Sequence, residues 1–195
     1  MGGTLDLEKQ LCFYSSYHQH PVNVGIHMLC IPMILFSFIL LLTNSPTIIP
    51  LPAWATITNL DLNLGTIMAL YYSIFYILLE PVAGSMITPI LLAGTAYSKH
   101  LTTVAAYPAN QIAFGVFIFS WIAQFIGHGA FEGRAPALFE NLHMALVTAP
   151  FFEWIELLFK LGYRPELEAR MRKSVAAETA KVKAAKAAGK NGKAQ

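Results

Sequence analysis

The sequence predicts an all-α, polytopic membrane helical bundle. It would have about four crossings, an N-terminal amphipathic helix, and a fifth helix partly buried or lying at the interface. Three observations lead there. The chain is 55% hydrophobic and only 12% charged, with mean hydropathy +0.52, whereas soluble domains carry about 25% charged residues. Apolar runs of roughly membrane-crossing length alternate with polar or proline-rich turns. The basic charge is gathered at one end: ten of the 13 Lys and Arg lie from Lys160 onward, against Glu166, Glu168 and Glu178, a local balance of +7.

Residues 4–18 place Leu7, Leu11, Tyr14 and His18 on one helical face, as a helix lying along a membrane surface would. Pro21 interrupts that helix and turns the chain. Val24 to Thr43 is twenty residues without a formal charge, enough to cross a hydrocarbon core of about 30 Å. Asn44 to Pro52 holds three prolines and reads as a turn. Residues 53–63 read as interfacial, with Trp54 at headgroup depth.

Leu64 to Ser98 carries one charged group, Glu80, and Glu80-Pro81 divides it into two runs of comparable length. The expectation is two short or tilted crossings joined at Glu80 and Gly84, because one continuous helix would have to absorb a proline. Residues 99–110 read as turn, and Gln111 to Gly127 as the fourth crossing. Leu138 to Phe159 is apolar but contains Glu140, His143, Glu153 and Glu156. Carboxylates are costly in lipid, so this segment is expected to pack within the bundle or at the interface. Residues 174–195 are Ala/Lys-rich and read as a frayed helix followed by disorder. The chain thus divides into an integral membrane domain, 1–165, and a basic, largely disordered tail, 166–195.

With four crossings, the start of the first and the end of the fourth emerge together. That puts His18, His20, His27, His128 and Glu132 at one membrane face, with the basic tail beside them if the last segment does not cross. Positive-inside logic makes that face cytoplasmic. The N-terminus, MGGTLDLEKQ, lacks the basic start and apolar core of a cleavable signal, so insertion would rely on the first apolar run. Asp6 breaks the myristoylation pattern that Gly2 would open. Cys12 and Cys30 form neither a disulfide framework nor a zinc-finger pattern.

Chemistry points to the histidines. Imidazole suits iron, zinc and copper, and Tyr17 to His27 places three histidines just before an apolar run. Nine residues separate His18 from His27, which would set them on opposite faces of one straight helix; the Pro21 break frees them to converge. His128 and Glu132 stand at i and i+4 in GHGAFEGR. Two or three histidines with a carboxylate would match the ligand set of non-haem Fe(II) oxygenases. Glu132 would equally serve by pairing with Arg134 or by holding a ligand histidine from behind. Tyr14, Tyr17 and Asn23 surround the first cluster and are candidates to orient ligands or substrate. His143 reads as a hydrogen-bonded core residue and His100 as a solvated loop residue. No phosphate loop, nucleophile elbow or H-E-x-x-H motif occurs. Nucleic-acid binding has only the tail in its favour and is set aside.

The pattern YHxxPxNxxxH (Tyr17, His18, Pro21, Asn23, His27), together with QFIGHGAFEGRAPAL from Gln124 to Leu138, resembles the 2-hydroxy fatty acid dioxygenase family of endoplasmic reticulum membrane proteins. LDLEKQLCFYSSYH and APFFEWIELLFKLGY extend the resemblance over about residues 5–165. It implies an Fe(II)-dependent reaction, within phytosphingosine degradation, in which O₂ converts a 2-hydroxy fatty acid to the acid one carbon shorter. It also implies His18, His27 and His128 as metal ligands and Glu132 as the motif carboxylate, with His20 and His143 outside the set. The acyl chain would lie in the bilayer while carboxylate and 2-hydroxyl reach the metal, with Arg134 or Lys99 available to hold the carboxylate. The competing class is a non-enzymatic membrane scaffold or lipid-binding protein, and a third is a zinc-dependent lipid hydrolase.

Overall fold

The computed structural model describes residues 5–133, 138 and 142–191, and among these every regular element is helical. Helix α1, Leu7–Tyr17, starts at Asp6, whose carboxylate accepts from the Lys9 N–H. Its one fully buried residue, Leu11, enters the common core. Helix α2, Pro21–Leu42, has Pro21 at its first position, where a missing N–H costs nothing. It ends at Thr43, and a proline-bearing connection that exposes Trp54 and Ile57 leads through a single bridge, Ile49 to Leu62, into α3, Leu64–Leu79.

The break expected at Glu80-Pro81 is present. Glu80 ends α3 and caps α4, Pro81–Val104, accepting from the Ala83 N–H at 2.6 Å. Gly84 lies against α3: a Cβ there would sit 2.4 Å from the Tyr76 carbonyl carbon. The two helices therefore form a close antiparallel hairpin. Tyr163 and Arg164 also donate to Glu80, at 3.0 and 3.4 Å, which ties this hairpin to the start of the C-terminal helix.

Two boundaries differ from expectation. The polar stretch at 99–104 continues α4, so His100 lies on an exposed helical face and not in a loop. The break is Ala105 alone, and α5 begins at Ala106, because Pro108 falls in a first turn where no amide partner is needed. Helix α5 runs to Gly127 and continues as a wider turn, His128–Glu132. In that turn the Gly133 N–H donates to the carbonyl of His128, five residues back. Gly133 ends it at φ +63°, a left-handed conformation that suits glycine.

Another wide turn, Met144–Thr148, leads into α6, Ala149–Lys160. Phe151, Phe152 and Ile155 are fully buried there against Leu35, Ile39, Tyr72 and Tyr76. The segment is thus packed into the bundle, and Glu156 meets Arg172 at 3.3 Å. Glu140 and Asn141 lie outside the described residues. The tail differs from expectation: Pro165–Asn191 is one helix, α7, in place of a frayed end. Leu167 and Met171 join the core, and Arg170 pairs with Glu8 of α1 at 3.2 Å. Alanine and lysine are strong helix formers, and an apolar stripe in the first turns gives the helix something to pack on.

Leu29, Ile74, Leu78, Ile112 and Phe119 are among many large apolar side chains exposed on the outer faces of α2, α3 and α5. Two helices are both long and apolar enough to cross a membrane, Pro21–Leu42 and the continuous Ala106–Glu132. Helix α3, with 16 residues, rises only about 24 Å. The described helices therefore supply two candidate spans, where the sequence led us to expect about four.

Candidate metal centre

His18, His27 and His128 meet at one end of the bundle. Their rings are 4.4, 4.8 and 4.9 Å apart between centroids, and their candidate ligand atoms all lie within 4.8 Å of one another. They come from three separate stretches: the linker after α1, the second turn of α2, and the wide turn ending α5. His27 and His128 are 3% and 2% exposed.

Local backbone fixes two of the rings. His18 Nδ1 lies 2.9 Å from the Tyr14 carbonyl, and His27 Nδ1 lies 3.0 Å from the Asn23 carbonyl. A carbonyl only accepts, so each Nδ1 carries the proton and each Nε2 presents a lone pair. Such outer hydrogen bonds orient metal-binding histidines generally. Tyr14 also stacks on His18, with ring centroids 4.1 Å apart. Tyr17 packs on Phe13 at 5.1 Å.

Glu132 sits behind the histidines. Its Oε1 accepts from the Gln19 N–H (2.8 Å), the His20 N–H (2.9 Å) and the Asn23 amide (3.1 Å). These donors lie at the start of α2, where backbone N–H groups are otherwise orphaned and the helix dipole favours an anion. One carboxylate thus locks the end of α5 to the start of α2, the two helices that carry His128 and His27. Asn23, fully buried, links both roles through its carbonyl and its amide.

The remaining candidates lie elsewhere. His20 caps α2 through its own ring and packs on Phe131. His143 bonds the Tyr71 hydroxyl at 3.0 Å and meets Phe75 edge-on. Lys99 corrects the expectation of a carboxylate-holding role. It donates to the Thr43 carbonyl and faces Asp61, at the opposite end of α2 from His27, about 24 Å away by helical rise. Arg134 lies outside the described residues.

A cavity of about 750 Å³ opens beside His18, between α1, the start of α2, α6 and α7. Lys160, Arg172, Glu153 and Glu156 line it, all contributed by segments far from the histidines in sequence. Nothing in the order of residues pairs α6 and α7 with the N-terminal helix, so this lining was not foreseen. Glu153 is 7% exposed; one oxygen takes the Tyr14 hydroxyl and the other is buried without a hydrogen bond. Burial pushes the Glu153 carboxyl up to about 7, and burial, reinforced by the adjacent Glu153 carboxylate, pushes Tyr14 well above its ordinary range.

A carboxyl whose folded pKa exceeds its unfolded value binds its proton more tightly in the folded state. Glu153 therefore costs stability progressively as pH rises from its ordinary 4.5 through about 7. Glu153→Gln keeps the acceptor for Tyr14 and removes the titration. Thermal unfolding in detergent should show the wild-type midpoint falling over that window and the variant's staying flatter; parallel curves would contradict the burial argument.

Residues 4–161 match the family described as 2-hydroxy-palmitic acid dioxygenase Mpo1-like. The 2-hydroxy-palmitic acid dioxygenase MPO1 of Saccharomyces cerevisiae is 38% identical to the chain over 170 residues, covering 87% of this chain and 89% of that protein. No solved structure gives a significant match. The matched span contains all three clustered histidines and Glu132, and the chain belongs to the Mpo1-like family.

Proposed function

We propose that this chain is a dioxygenase that uses O₂ to convert a 2-hydroxy fatty acid to the acid one carbon shorter, at an Fe(II) ion held by His18, His27 and His128. The observation that carries it is the convergence of three imidazoles, two of them with tautomers fixed to offer Nε2, in a chain 38% identical to a 2-hydroxy-palmitic acid dioxygenase. Neutral nitrogen donors suit iron among the first-row metals. His18, His27 and His128 would hold the ion, and once bound it would supply the oxygen chemistry.

The chain's own residues provide position and shielding. Burial of His27 and His128 keeps the reacting carbon away from bulk water. Glu132 and Asn23 act through the backbone, holding two ligand-bearing helices in register. Tyr14 limits rotation of His18, and Tyr17 is a support for the same helix.

We read α2 to α5 as embedded in the endoplasmic reticulum membrane as four crossings, with the metal centre and α7 at the cytoplasmic face. The exposed apolar faces of these helices support this, as does the contrast between the basic C-terminal segment and a single Lys99 at the far end.

The test is O₂ uptake by the purified protein in detergent with 2-hydroxypalmitate, with chromatography of the shortened acid. Chelation should abolish uptake, and Fe(II) should restore it where Zn(II) does not. Uptake that survives complete iron removal would sink the reading; full restoration by zinc without O₂ use would favour a hydrolase.

A further inference from the structure

The faces of α2 and α5 that carry the ligand histidines continue into a second, apolar cavity. On α2, Ile31, Leu35 and Phe38 follow His27 by four, eight and eleven positions; on α5, Gln124, Trp121 and Phe117 precede His128 by four, seven and eleven. These spacings keep each set on its histidine's face. The two helices are antiparallel neighbours, so the six side chains line one cleft of about 200 Å³ that begins one turn beyond the metal ligands. Tyr72, Ala145 and Pro150 close its other wall.

One wall residue is out of place in an apolar cleft. Gln124 is 8% exposed, lines the cavity at its metal end, and its side-chain nitrogen is buried without a hydrogen-bond partner. An orphaned buried amide costs about 1–3 kcal/mol, and a ligand oxygen would relieve it. At the other end Phe38 and Phe117 stack with centroids 5.7 Å apart and form a floor. Eleven residues of helix separate histidine from floor, a rise of about 16 Å. An extended chain advances about 1.2 Å per bond, so the course from histidine to floor matches about thirteen bonds of an acyl chain, of which the cleft itself, from Gln124 to Phe117, takes the last eight or so over about 10 Å.

We propose that this cleft receives the acyl chain of the substrate, with the Gln124 amide donating to an oxygen of its polar head and the Phe38–Phe117 pair limiting chain length. This rests on the dioxygenase reading for the identity of the ligand, but the cleft is tested separately. Trp121 lies in its wall, so palmitate brominated along its chain should quench part of the protein's tryptophan fluorescence in detergent. The quenching should saturate, be competed by 2-hydroxypalmitate, and disappear in Trp121→Phe. This readout needs neither metal nor turnover.

Two further variants address length. Ala145→Phe should lower turnover of 2-hydroxypalmitate at least tenfold while leaving 2-hydroxyoctanoate within about twofold. Phe117→Ala, which opens the floor, should move the preference toward longer acids and decides the question if the first variant does not accumulate. Gln124→Leu should raise KM about tenfold at every chain length with kcat nearly unchanged. Absence of saturable Trp121 quenching overturns the proposal, as does a loss in Ala145→Phe that is equal for short and long acids, which would place the chain in the cavity under α7. If bromopalmitate binds as expected but no 2-hydroxy acid is consumed, the dioxygenase reading falls and the acyl site stands.

Discussion

His128→Ala is expected to abolish stoichiometric iron binding and to lower turnover of 2-hydroxypalmitate by roughly a thousandfold or more, about 4 kcal/mol of lost transition-state stabilisation. His18→Ala and His27→Ala should match it, because each ligand comes from a different segment and none can substitute for another. The folded protein should persist in all three, since alanine leaves the surrounding helix contacts in place. Glu132→Gln should be milder: the amide still accepts from the α2 amides but without the charge, so a ten- to hundredfold loss of iron affinity is expected. Metal analysis after gel filtration, with O₂ uptake on the same fractions, reads both. Iron retained at wild-type occupancy in His128→Ala would remove that residue from the ligand set. A scaffold role would predict no difference in lipid or partner binding across the whole series.

The largest effect on stability is expected at Gly84→Ala. The added Cβ would lie 2.4 Å from the Tyr76 carbonyl carbon and 2.5 Å from the Ile77 nitrogen, both backbone atoms that cannot swing aside. Relief requires α4 to move off α3, and Ala83 and Tyr76, both fully buried at this crossing, would separate with it. A loss above about 4 kcal/mol follows, in the range where a domain no longer accumulates. Gly115→Ala is the matched control: its Cβ would meet nothing within 4 Å, and alanine in a helix gains up to about 1 kcal/mol over glycine. Normal yield and thermal midpoint for Gly84→Ala would show that the hairpin is looser than its backbone contact indicates.

Much of the architecture was legible because proline and charge punctuate it. Pro21 separates α1 from α2, and Glu80-Pro81 separates α3 from α4, since neither site can continue a helix without losing a hydrogen bond. The clustered histidines were legible as residues, because His18 and His27 straddle a break and His128 ends an apolar run. What was not legible depends on contacts distant in sequence. Residues 99–104 look like a turn by polarity, but a helix end facing water tolerates polar side chains. The Ala/Lys-rich segment gives no sign that α1 will offer Leu167 and Met171 a partner. Gln124 reads as one more polar residue in an apolar run until its face is seen to be that of His128. Lys99 was placed near the substrate because it is one of few cations, yet the antiparallel course of α2 and α4 carries it to the other end.

The one-ended placement of the metal centre has a directional consequence. Lys99, Asp61 and the Asn44–Asn110 pair hold the far end of the helices together with mutual contacts, and the three clustered histidines are all at the near end. Chemistry confined to one end of a bundle is not vectorial. Under the membrane-embedded reading, substrate and shortened product exchange with the same leaflet, and the reaction changes lipid composition there without moving any acid across the bilayer.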